Sequence, residues 1–168
     1  MTAESLRTRT QELWGEHNSG LDTSAMEVVA QVKRISALLD LSVDPIYRGA
    51  ELTAAEVELM VPLRYAEEPM AAIRLAERLG MSRAGVSKAL AKLERRGLIA
   101  REQNPSDRRS ALIRMTGEGE AAIDYVFPRE LDAHTKLLAG LGDCRSRVLD
   151  ALVCLAETME SYVDDSTQ

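Results

Sequence analysis

The sequence predicts a mainly α fold with a minor β component (α+β minor). One lobe contains two short helices that meet at a tight turn and lead into a two-stranded hairpin; a second lobe consists of long helices. Three observations support this. Apolar residues make up 45% of the 168-residue chain and aromatics only 4%, a balance that favours helices packed through aliphatic side chains. Apolar positions recur at helical spacing along most of the chain. Only Leu98-Ile99-Ala100 and Ala111-Leu112-Ile113, flanking the polar Asn104-Pro105-Ser106-Asp107, read as strands around a turn. The length fits one compact domain or two small lobes sharing a core.

Residues 1–22 form an N-terminal extra helix. The run Glu4–His17 is amphipathic, with Leu6, Leu13 and Trp14, and Asn18-Ser19-Gly20 ends it. Trp14, the single tryptophan, suits a hydrophobic anchor docking this arm on the body. Ser24 with Glu27 fits a capping box, and the helix after it carries Met26, Val29, Val32, Ile35, Leu38 and Leu39. Pro45 predicts a kink there or a restart near Ser42. A second capping box, Thr53 with Glu56, sits inside a Leu52–Val57 staple and opens a helix to about Tyr65. Glu67-Glu68-Pro69 breaks it. Met70–Ala72 is short enough for one edge strand, and Ile73–Leu79 for a two-turn helix closed by a left-handed Gly80. Ser82 then caps the next helix at once. Two helices around a short Gly-containing turn make a helix-turn-helix.

Charge sets one stretch apart. Ser82–Thr116 carries nine basic residues against three acids, a net of +6 in a chain of net −6. One concentrated basic element in an acidic protein points to a polyanion met at one place. Within the helix from Ser82 to Arg96, Val86, Ala89, Leu90 and Leu93 share a face. The opposite face centres on Ala84, Ser87, Lys88, Ala91 and Arg95. Small residues there let a backbone sink into a groove, while Ser87 and Lys88 reach base edges or phosphates and the helix N-terminus favours phosphate. An ordinary solvated face would more often alternate Glu with Lys. At the hairpin tip, Asp107 among arginines suits an intramolecular clamp holding Arg109 extended toward a minor groove; a flexible loop with unpaired arginines is the alternative. The candidate DNA-contacting residues are Ser82, Arg83, Ala84, Ser87, Lys88 and Lys92 on the helix, with Asp107, Arg108 and Arg109 on the wing.

After the hairpin, Thr116 caps a helix to about Gly140 with Pro128 inside it. Gly140-Leu141-Gly142 breaks the chain, and Asp143 caps a last helix. Val148, Leu152, Leu155, Met159 and Tyr162 form a coiled-coil-like seam on it. An intersubunit bundle suits this seam, because one recognition helix reads half a site. A two-fold homodimer sets two such helices about 34 Å apart, matching a pseudo-palindrome in double-stranded DNA. Residues 23–50 and 117–168 thus form a helical dimerisation lobe around a winged helix-turn-helix DNA lobe at 51–116.

Other classes are disfavoured. No apolar run is long enough to cross a membrane, and MTAESLRTRTQELW lacks the apolar core of a secretory signal, so a cytoplasmic location is expected. Cys144 and Cys154 are ten residues apart on what reads as one helix, about 15 Å, too far for a disulfide. His17 and His134 have no partners at metal-ligand spacing. No cofactor or metal is expected. A helical-bundle enzyme lacks every common catalytic signature. Cys144, in the first turn of the last helix, leaves a thiol-based redox sensor as an alternative regulator.

At this point the chain resembles the MarR family of winged helix-turn-helix transcriptional regulators, over about Leu52–Ile123. LAERLGMS, SRAGVSKALAKLERRGLI and SDRRSALIRMTGEGEAAI carry the resemblance. The D-x-R wing signature falls on Asp107 and Arg109, and the L-T-x-x-G helix start on Met115-Thr116-Gly117-Glu118-Gly119. The N-terminal part resembles the urate- and organic-anion-responsive branch through Trp14, Leu21, Asp22 and Met26. That resemblance implies a ligand-responsive repressor, released from its operator by a small anionic or aromatic effector between the two lobes. It implies Trp14 and Arg96 as ligand-binding residues. Where the branch has an acidic residue in its ligand network, this chain has Glu67 and Glu68, with Arg74 following.

Overall fold

A computed structural model describes residues 3–105 and 110–166 of the chain. It divides into two compact units, residues 1–133 and 134–168. The first unit holds α1 (Ala3–His17), α2 (Ala25–Tyr47), α3 (Ala54–Arg64), β1 (Met70–Ala71), α4 (Ala72–Arg78), α5 (Arg83–Arg95), β2 (Ile99–Gln103), β3 (Ala111–Met115) and most of α6 (Gly117–Leu138). The second holds the end of α6, a 3-10 turn over Ala139–Cys144, and α7 (Arg145–Ser166).

Local chemistry accounts for most of these boundaries. Thr53 is extended and its hydroxyl accepts from the Glu56 N–H at 3.3 Å, while the Glu56 carboxylate accepts from the Thr53 N–H at 2.9 Å. This is the expected capping box, with Leu52 and Val57 buried on either side. The box expected at Ser24 does not form. Ser24 already has helical backbone angles (φ −58°, ψ −36°), so its hydroxyl has passed the capping position. The Asp22 carboxylate accepts the Ser24 N–H instead at 2.9 Å. Pro45 neither breaks nor restarts α2, which continues to Tyr47. It lies in the last turn, where few hydrogen bonds remain to be lost.

The sheet is antiparallel in the order β1-β3-β2. Met70 pairs with Ile113, and β2 runs against β3 from Ile99↔Met115 to Gln103↔Ala111. The single edge strand expected at Met70 is therefore present. Sheet and helices enclose one core. Leu59 and Met60 of α3, Leu75 of α4, and Val86, Leu90 and Leu93 of α5 are all fully buried, joined by Ile113 and Ile123. Each such side chain contributes about 1.5–3 kcal/mol by leaving water, and together they fix α5 against α3, α4 and β2.

In the second unit, α7 starts at Arg145, two residues later than the cap expected at Asp143. Gly142, at φ +47° and ψ −129°, kinks the chain, and the short turn beyond it leads through Asp143 and Cys144 into α7. Cys144 stands directly before Arg145, at the start of the helical run that follows the kink. Its sulfur accepts from Arg147 Nη2 at 3.0 Å. Both cysteines are free and exposed. Leu149, Leu152, Val153, Met159, Tyr162 and Val163 of α7 are exposed; so, in the first unit, are Val28, Val29, Val32, Ile35, Leu38 and Leu41 of α2.

Candidate nucleic-acid interface

The geometry of α5 follows from its two ends. Gly80 takes φ +61°, a conformation that favours glycine, and turns the chain out of α4. Ser82 is extended (φ −64°, ψ 135°) and its hydroxyl accepts from the Gly85 N–H at 3.1 Å. At the far end Gly97 takes φ +72°, and the Leu98 N–H returns to the Leu93 carbonyl at 3.0 Å. With Val86, Leu90 and Leu93 buried, the other side is fixed by periodicity: Arg83, Ala84, Ser87 and Lys88 are all exposed. Lys88 makes no ion pair among the described residues, whereas Arg83 meets Glu77 at 3.3 Å.

Lys92 and Arg96 are placed differently. One helical turn apart, both reach a single buried carboxylate. Glu56, only 2% exposed, accepts at Oε1 from Lys92 Nζ at 2.9 Å and from Arg96 Nη1 at 3.1 Å. Its other oxygen serves the Thr53 N–H. Burial pushes this carboxyl up, but the Thr53 amide, Lys92, the Thr53 hydroxyl and Arg96 together hold it below the ordinary carboxylate range. Arg96 also donates from Nη2 to the Glu51 carbonyl at 2.6 Å. Sequence reasoning explained Glu56 as a helix cap and stopped there. The same residue is the electrostatic joint between α3 and the C-terminal end of α5.

The wing is tied down at its base. Arg101 meets Glu94 at 2.8 Å, Arg114 meets Glu102 at 2.9 Å, and Asn104 Nδ2 donates to Ser110 Oγ at 2.8 Å. The Asp107–Arg109 clamp and Arg108 lie outside the described residues. Thr116 joins the wing to α6: its hydroxyl donates to the Gly97 carbonyl at 2.6 Å and accepts from the Gly119 N–H at 3.1 Å. A Cβ added at Gly119 would lie 1.9 Å from the Leu98 carbonyl oxygen. The L-T-x-x-G pattern thus has a steric cause, because α6 passes too close to the wing for any side chain.

Arg96 lines an open cleft of about 910 Å³ bounded by the ends of α2 and α5 and the first half of α6. Arg48, Glu51, Glu118, Tyr125 and Arg129 are its other polar walls. Trp14 is not among the lining residues. It stays half-exposed on α1, which packs on α2 and whose Gln11 Nε2 donates to the carbonyl of Thr23, two residues before α2, at 3.4 Å. Within the chain, then, the two expected ligand residues are not brought together. Glu67, Glu68 and Arg74 line a different groove, beside β1. Among the described residues no cluster of His, Cys, Asp and Glu could hold a metal, and no helix is long and apolar enough to cross a membrane.

Comparison with known proteins bears on this arrangement directly. The MarR family model matches residues 52–111, from the cap of α3 to the start of β3. Over those residues the chain is similar to the MarR family, and the curated relatives it matches are named as HTH-type transcriptional regulators. The HTH-type transcriptional regulator PecS of Dickeya dadantii is 27% identical over 142 residues, 83% of this chain and 86% of PecS. Uncharacterized HTH-type regulators of Bacillus cereus are 32% identical over 81 residues, 48% of this chain and 52% of their own length. A MarR family regulator from Streptomyces coelicolor, solved in complex with DNA, superposes with a TM-score of 0.71 at 24% identity, covering 82% of this chain and 88% of that one. PcaV of the same organism, solved with its natural ligand, gives 0.66 at 23% identity, covering 76% and 89%. These likenesses establish the winged helix fold of the chain.

Proposed function

We propose that this chain is a MarR family transcriptional regulator, a homodimeric, cytoplasmic repressor that leaves a pseudo-palindromic operator when a small anionic or aromatic effector binds. The observation that carries the reading is the outer face of α5. Ala84, Ser87 and Lys88 stand free of the core on a helix capped by Ser82, while the inner face is locked to α3 and α4. A rigid helix with a small, polar, cationic outer face is shaped for a major groove. In this reading Ser82, Arg83, Ala84, Ser87 and Lys88 contact DNA from the helix, and Asp107, Arg108 and Arg109 from the wing. Lys92, held by Glu56, stands at the edge of that footprint. The exposed apolar residues of α2 and α7 support a dimer, since isolated amphipathic helices of this length bury such seams against a partner. Arg96 in an arginine-lined cleft supports an anionic effector. Trp14 on the added helix is the second proposed effector contact.

Fluorescence anisotropy on DNA from upstream of the gene tests this, with and without urate and related aromatic anions. The expected result is a dimer-sized complex at low salt, weakened steeply by salt and by at least one anion. No complex at low salt refutes DNA binding at this operator. A complex indifferent to every anion refutes effector control.

A further inference from the structure

Lys88 and Lys92 stand one turn apart on α5, about 6 Å along the helix and about 40° round it. Their settings differ. Lys88 makes no ion pair among the described residues, whereas Lys92 Nζ lies 2.9 Å from Glu56 Oε1. Lys92 thus occupies the flank of the outer face that turns toward α3.

Arg96, a further turn on, reaches the same carboxylate oxygen at 3.1 Å, but the two cations are not equivalent. The Arg96 side chain is 25% exposed and has a second anchor, the Glu51 carbonyl at 2.6 Å. The Lys92 side chain is 51% exposed and has no other partner among the described residues. Glu56 itself is fixed at the start of α3, where its second oxygen accepts the Thr53 N–H at 2.9 Å. When Lys92 leaves, this carboxylate keeps Arg96 and the Thr53 amide, so no buried charge is stranded. An ammonium is a compact charge on a flexible stem, suited to exchanging one anion for another. Lys92 is the exchangeable partner of the joint.

We propose that Glu56 is a positioning residue for DNA binding, one that withholds Lys92 from the phosphates flanking α5; the assignment rests on the DNA-binding reading above. Lys88 is free to meet any phosphate. Lys92 adds its charge only where a phosphate is seated closely enough to outcompete the carboxylate. Binding to DNA of arbitrary sequence is driven almost wholly by phosphate contacts, and a lysine already neutralised adds little to it. Glu56 thereby lowers the background against which an operator is recognised, and selectivity is the difference between those two affinities. A carboxylate on a neighbouring helix sets specificity without touching DNA.

The test is fluorescence anisotropy of the full chain on a duplex of scrambled sequence and on DNA from upstream of the gene. The variants are Glu56→Gln, Lys92→Ala and the two combined. Glu56→Gln keeps an acceptor for the Thr53 N–H and removes the charge that holds Lys92. It should bind the scrambled duplex roughly tenfold more tightly at about 50 mM salt, and its preference for upstream over scrambled DNA should shrink. Adding Lys92→Ala should abolish that gain. A purely structural role for Glu56 gives the opposite sign, since loosening α5 weakens binding to both duplexes. Unchanged or weaker binding of scrambled DNA by folded Glu56→Gln overturns the assignment, and so does a gain that survives Lys92→Ala. Lys92→Ala alone decides the point if Glu56→Gln does not fold. It should cost little on scrambled DNA, and a loss of roughly tenfold overturns the assignment. Each of these outcomes leaves DNA binding itself intact. A parent chain that binds neither duplex at low salt refutes the DNA-binding reading, and the role of Glu56 falls with it.

Discussion

At the scale of single residues, Gly119 and Glu56 make the sharpest demands on chemistry. Any side chain at 119 drives into the Leu98 carbonyl, a backbone atom that cannot swing aside. Gly119→Ala should therefore lower stability by about 1–3 kcal/mol despite alanine's better helix propensity, measured as the urea midpoint; an unchanged or raised midpoint refutes the steric account. Glu56 makes a pH prediction. Its carboxyl is held below its ordinary value of 4.5, chiefly against the burial that pushes it up, by the Thr53 amide, Lys92 and Arg96. A lowered folded value means its stabilisation is complete above the unfolded value and is lost as pH falls through the folded one. Parent and Glu56→Gln stabilities should thus converge as pH drops below about 4. A gap that is independent of pH refutes the assignment. Both residues were only half legible in the sequence. Glu56 had a sufficient local explanation as a cap, and its cations lie 36 and 40 residues away on another helix. Gly119 stood in a recognisable pattern, but the carbonyl it avoids belongs to the turn between α5 and β2, whose path no local signal specifies.

At the scale of elements, α5 was the most legible part of the chain. Val86, Leu90 and Leu93 repeat at three and four residues, and Ser82 and Gly97 mark its ends, so period and caps agree. The proposed groove face of α5 makes its own prediction. Lys88→Ala should weaken DNA binding similarly on all sequences and flatten the log–log salt slope by about 0.9, read by anisotropy over a salt series. An unchanged slope removes Lys88 from the phosphate contacts. Ser87→Ala should instead alter preference among operator variants. The ends of α2 and α7 were less legible. Ser24 and Asp143 both have capping chemistry, but capping depends on the backbone angles of the residue itself. Ser24 is already helical and gives its N–H to Asp22, and the left-handed Gly142 kinks the chain just before Asp143. Pro45 was overweighted for a related reason, since a proline's effect depends on how many turns follow it.

At the scale of the whole molecule, the exposed seam of α7 makes the prediction. Met159→Glu with Leu152→Asp places two charges where the proposed dimer buries apolar side chains. Sedimentation should shift from a species of twice the chain mass toward the single chain, and operator affinity should fall with it, because two half-sites need two linked helices. A variant that stays dimeric moves the interface elsewhere. Helical architecture at this scale was legible because apolar spacing is a local property. The Trp14–Arg96 pairing rested on resemblance alone, and the single chain leaves the two residues apart.

The ion pairs of α5 and the wing have a consequence for how tightly DNA binding responds to salt. Arg83, Lys92, Arg96, Arg101 and Arg114 each rest on a carboxylate of the same chain. This surface carries its own counterions. When a phosphate displaces one of those glutamates, the freed carboxylate recruits a cation from solution, offsetting the one released from DNA. Nine basic residues engaging nine phosphates would give a log–log slope of about −8. With five of them already neutralised from within, the chain should show a distinctly shallower dependence, so its grip on DNA varies less with ionic strength than its basic residues alone suggest.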